Sequence, residues 1–77
     1  MRYYFDVVDG HGTAEDEDGL ELADAEAARE EALAGARGIL AEEVKAGRID
    51  LCWRIAVRNE TGEALFTVPF AEAIEIA

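Results

Sequence analysis

Cysteine, histidine, proline and lysine each occur once in this 77-residue chain, as Cys52, His11, Pro69 and Lys45. A single cysteine excludes an intrachain disulfide and points to a reducing compartment. Its place beside Trp53 suggests a small buried hydrophobe. One histidine leaves almost no nucleophile–base chemistry. With Asp6 and Asp9, His11 makes only a fragment of a metal site, because a tetrahedral zinc centre needs further ligands. No apolar run approaches ~18 residues, which excludes a transmembrane helix. The opening residues 1–6 have neither a long apolar stretch nor a small-residue cleavage site, so no signal peptide is expected. Bases number 7 against 18 acids, for a net charge of −11. Such a body repels nucleic acid and anionic membranes, and attracts cations and basic proteins.

Apolar residues make up 51% of the chain, enough for a folded core. The length suits one domain spanning residues 1–77 and leaves no room for two. The charge is uneven. Asp9 to Glu31 carries ten acids and one base, Ala32 to Asn59 carries more bases than acids, and four acids follow from Glu60.

Three segments alternate as strands do. In the first, Tyr3, Phe5 and Val7 face one side and Arg2, Tyr4, Asp6 and Val8 the other. In the second, Trp53, Ile55 and Val57 oppose Arg54, Ala56 and Arg58. In the third, Ala64, Phe66 and Val68 share the inner side, and Pro69 ends the strand because it has no N–H for the ladder. Asp9-Gly10-His11-Gly12 reads as a turn, residues 13–18 as an acidic loop, and Gly19-Leu20-Glu21-Leu22 as a short returning strand. Asn59-Glu60-Thr61-Gly62 has the asparagine and glycine of a type I turn.

Between the strands lies a helix. Asp24 is a good N-cap, early acids and late bases suit the helix dipole, and Gly47 stands where a C-terminal glycine belongs. Ala25, Ala28, Ala32, Leu33, Ala36, Leu40 and Val44 recur at helical spacing, with Ile39 at the edge. Gly35 and Gly38 weaken the helix interior, unless close approach to the sheet or a second subunit requires them. Phe70, Ala73 and Ile74 are spaced as one turn closing the core. The expected fold is α+β: a small two-layer domain in the order β-β-α-β-β, with an antiparallel sheet of three to four strands and one long helix on one face.

These pieces together resemble a family of short acidic bacterial proteins described as a domain of unknown function. The resemblance is carried by the opening Arg2-Tyr3-Tyr4-Phe5-Asp6-Val7-Val8-Asp9-Gly10, by Asp18-Gly19-Leu20-Glu21-Leu22, and by the helix start Asp24-Ala25-Glu26-Ala27-Ala28-Arg29. It continues through the strand and turn at 54–62 and the close Leu65-Phe66-Thr67-Val68-Pro69-Phe70 to Ile76. It implies a stand-alone domain in a bacterial cytoplasm. It implies no activity, cofactor or site residue.

Three surfaces attract attention. Asp16-Glu17-Asp18-Gly19 resembles part of a calcium loop, but alignment on Gly19 puts Ala14 at the first ligand position and Ala25 at the twelfth. A loose Ca²⁺ or Mg²⁺ site over residues 9–19 would draw on Asp9, Glu15, Asp16 and Asp18. The same acids, with Glu15, Asp16, Glu17 and Asp18 foremost, would instead meet a basic protein partner. On the outer sheet face, Arg2, Tyr4, Arg54 and Arg58 form a basic–aromatic patch. Cross-strand ion pairs involving Asp6 and Glu63 explain that patch better than RNA stacking. This face, or the helix glycines, would also serve a structural homodimer. No catalytic constellation and no cofactor motif is present. The expectation is a non-enzymatic cytoplasmic binding module acting through the acidic segment 9–31.

Overall fold

Alternation in the first strand and helical spacing in the middle set up two layers. The computed structural model describes residues 1–76. β1 (Arg2–Val8) is followed by two short strands, β2 (Thr13–Ala14) and β3 (Leu20–Glu21). Then come α1 (Ala25–Lys45), β4 (Arg54–Arg58), β5 (Ala64–Pro69) and a closing 3₁₀ turn, Phe70–Ala73. All strand pairs are antiparallel. β1 is central: β4 and then β5 continue from one of its edges, while β2 and β3 both pair with the other. The acidic loop therefore contributes a strand of its own at Thr13–Ala14, where the sequence suggested only loop, and the sheet has one strand more than expected.

Asp24 caps α1 as expected, its Oδ1 accepting from the Ala27 N–H at 2.8 Å. At the far end Gly47 takes φ +89°. Its N–H reaches the Val44 carbonyl at 2.9 Å, and the Arg48 N–H reaches that of Glu43 at 3.0 Å. This is the Schellman pattern, which satisfies the last helix carbonyls and favours glycine for its left-handed backbone. The helix spans about 32 Å at 1.5 Å per residue, whereas seven-residue β1 spans about 23 Å. The mismatch shortens the buried stripe to Ala28, Ala32, Ala36 and Leu40, with Leu33 and Ile39 packed beside it. Ala25 is exposed and Val44 is 58% exposed, so neither joins the core as the spacing suggested. Gly38 has open space where a Cβ would be, and a Cβ on Gly35 would meet Ile55 at an ordinary 3.7 Å. Neither glycine is needed for close approach to the sheet.

The core joins these alanines to Tyr3, Ile55, Val57, Val68, Phe70 and Ala73. Phe70 is fully buried and meets Trp53 edge-on at 5.9 Å. The closing turn is held to the helix by Arg37, whose Nε donates to the Ala73 carbonyl at 2.6 Å, and by Arg29 on Glu72 at 2.9 Å. Ala64 leaves the expected inner face. Val57 pairs with Phe66 but Arg58 pairs with Ala64, so Leu65 is an extra residue at a β-bulge and the alternation shifts phase there. Cys52 is exposed rather than buried, in the link between helix and β4.

Candidate functional site

β2 pairs with Val7 and Val8, and β3 with Arg2 and Tyr3. Between them the middle of β1 has no strand on that side, so its edge donors need another acceptor. The Phe5 N–H donates to Asp16 Oδ2 at 3.1 Å. Asp16 thus supplies by side chain what a continuous strand would supply by backbone. Its Oδ1 accepts the N–H groups of Asp18 and Gly19, both at 3.2 Å.

The rest of the loop is drawn onto the outer sheet face. Asp6, 7% exposed, accepts the Asp16 N–H on Oδ1 at 2.9 Å and the Arg58 Nε–H on Oδ2 at 2.8 Å. Arg58 Nη2 donates to the Asp16 carbonyl at 2.8 Å, and Arg2 Nη1 to that of Asp18 at 2.9 Å. The Arg58 guanidinium lies 4.5 Å from the centre of the Tyr4 ring, within cation–π range. Tyr4 is directly opposite Arg58 in the register. Gly19 closes the loop at φ +69°, and a Cβ there would stand 2.9 Å from both Arg2 Cγ and Tyr4 Cε2. Only glycine fits that backbone and that contact.

Electrostatics follow the geometry. Partial burial raises the Asp16 pKa, but the backbone donors of Phe5, Gly19 and Asp18 and the nearby Arg58 charge outweigh it. The net result is a pKa below the ordinary 3.8. The Arg58 pKa is raised, chiefly by its hydrogen bond to Asp6, so Arg58 remains the fixed cation of the network.

The acidic residues singled out from sequence therefore divide. Asp16 is half-buried, and both its carboxylate oxygens accept backbone N–H groups. Asp9 Oδ1 accepts the N–H groups of His11 and Gly12 at 2.7 and 2.9 Å, stabilising its own turn. Glu15, Glu17 and Asp18 are exposed, and among the described residues their carboxylates take part in no hydrogen bond or ion pair. No group of three or more His, Cys, Asp or Glu side chains placed to hold a metal ion occurs among the described residues. On the outer face Arg58 pairs with Asp6 across β4 and β1, Arg2 lies 3.9 Å from Glu21 across β1 and β3, and Glu63 accepts from the Asn59 amide instead of a strand cation. The loop occupies the Arg2–Tyr4–Arg58 end of the patch.

Sequence reading missed the roles of Asp6 and Arg58 in holding the loop, because they lie far from Asp16 along the chain. A local signal for Asp16 was present. Asp9-Gly10-His11-Gly12 and Asp16-Glu17-Asp18-Gly19 share the spacing Asp-x-x-Gly, and both aspartates accept from residues two and three further on. This is the Asx device of turns.

No helix among the described residues is long and apolar enough to cross a membrane. Searches of curated proteins and of solved structures gave no match. A family model described as Domain of unknown function (DUF6894) matches residues 2–71, from the aromatic strand through the closing turn. With nearly its whole length matched, the chain belongs to the DUF6894 family.

Proposed function

We propose that this chain is a non-enzymatic binding module that engages a basic protein partner through the acidic segment 9–31, led by Glu15, Glu17 and Asp18. The supporting observation is the contrast within one loop: Asp16 is held by three backbone donors while its three acidic neighbours stand exposed, their carboxylates in no hydrogen bond or ion pair among the described residues. Exposed carboxylates steer a cationic surface before contact. Glu26, Glu30 and Glu31 extend the exposed acidic surface along the start of α1. The remaining polar contacts of the loop are ion pairing and backbone capping.

The test begins with capture from a native lysate at low salt. The association rate of the captured partner is then measured with wild type and with the triple variant Glu15→Gln, Glu17→Gln, Asp18→Asn. Steered association should slow by on the order of tenfold or more between low and high salt, and the triple variant should associate slowly at both. A complex that forms at one rate regardless of salt, and equally fast with the triple variant, would overturn the proposal.

A further inference from the structure

The geometry points to a conformational device in the loop 15–19: a strap that opens and closes over the outer sheet face as one unit, with Arg58 as its latch. This goes beyond the partner reading and does not depend on it.

The contacts that hold the strap are concentrated on few atoms. Asp6 receives the Asp16 N–H and the Arg58 Nε–H, and Arg58 also holds the Asp16 carbonyl. Asp16 in turn holds Phe5, Asp18 and Gly19. Among the described residues, Arg2 on the Asp18 carbonyl is the one further side-chain anchor from the sheet. Losing the Arg58 contacts would leave the Asp6 carboxylate without its cation and Asp16 without its carbonyl donor. The bonds therefore form and break together. Against them stands little apolar burial: Glu15, Glu17 and Asp18 are exposed, and none of residues 15–19 belongs to the hydrophobic core. Segments with few buried apolar contacts open separately from the global fold. The strands on either side, β2 and β3, are two residues each, so pairing beside the strap is short as well. When the strap is closed, an acidic segment lies on the cationic and aromatic groups Arg2, Tyr4 and Arg58. When it is open, those groups and the Phe5 N–H face water. The closed strap thus covers a cationic–aromatic patch of the sheet with the backbone carbonyls of Asp16 and Asp18.

Native-state hydrogen exchange on the whole chain tests the device. In wild type, the amides of Phe5, Asp16 and Gly19 should exchange with one common opening, faster than those of Ile55 and Val57 in β4. Arg58→Lys removes the planar two-point latch and keeps the charge. It should speed exchange at the three strap amides together, by on the order of tenfold, while Ile55 and Val57 change less than about twofold. Asp16→Asn gives a second route if Arg58→Lys fails to fold. It should accelerate the Phe5 and Gly19 amides as a pair and again spare β4. Strap amides that exchange at unrelated rates, or in step with Ile55 and Val57 in wild type and in whichever variant folds, would overturn the proposal.

Discussion

The two faces of the sheet are covered by opposite chemistries. On the inner face a helix presents Ala28, Ala32, Ala36 and Leu40 to Ile55, Val57 and Val68, and the closing turn adds Phe70. That cover is apolar, non-directional and distributed over many small contacts. On the outer face a loop of four consecutive acids is held by a few directional bonds around Asp6, Arg58 and Asp16. The lesson is one of redundancy. Trimming one inner residue removes a share of the packing, whereas breaking one outer bond strands its partners. The inner face should therefore set global stability, and the outer face should set local opening and acid sensitivity.

The largest effect should come from the inner face. Phe70→Ala deletes a fully buried ring that contacts Trp53. A loss of about 3–5 kcal/mol is expected, measured by urea denaturation, and in a domain this small that could unfold much of the population. A loss under about 1 kcal/mol would mean that the core does not depend on the closing turn.

Next comes Gly19→Ala on the outer face. A left-handed backbone together with contacts at 2.9 Å to Arg2 and Tyr4 should cost about 1–3 kcal/mol. Chemical-shift changes should stay within residues 2–6, 15–21 and Arg58. Changes spreading into α1 would contradict the separation of the two faces.

The third prediction is acid sensitivity. Folding holds the Asp16 pKa below its ordinary 3.8, so its ionised form stabilises the fold above the unfolded-state pKa. That contribution is lost as pH falls through the depressed folded value. In Asp16→Asn the contribution is absent at every pH, so the stability gap between wild type and variant should be full at neutral pH and close below about pH 4. A gap that persists unchanged at low pH would show that the Asp16 charge is not what holds the loop.

The smallest effect has the opposite sign. Gly38→Ala enters open space inside α1, and the added helix propensity should raise stability by roughly 0.5–1 kcal/mol. Thermal unfolding reads this directly. A destabilised variant would mean that the helix backbone at Gly38 is covered by something in solution, such as a second copy.

Much of the fold was legible because its signals are local. The alternation of residues 2–8 and 54–58, the cap at Asp24, the glycine at 47 and the spacing of Phe70, Ala73 and Ile74 each report on neighbours within a turn or a strand. The misplacements come from relations between elements. Val44 is exposed because the helix outruns the sheet, and Ala64 changes face because a bulge at Leu65 resets the alternation. Neither can be read from the periodicity of one segment.

The acidic loop marks the same boundary most sharply. By itself the sequence determined that residues 15–18 are charged, apolar-poor and close to a glycine, and hence a loop. Only the tertiary structure decided that Asp16 turns inward while Glu15, Glu17 and Asp18 stay in water. The reason is physical. Four adjacent carboxylates are chemically alike, and what separates them is the position of donors elsewhere: the Phe5 N–H 11 residues away and the Arg58 guanidinium 42 residues away. Those donors reach the loop only once β4 pairs with β1 and the split between β2 and β3 leaves the middle of β1 open.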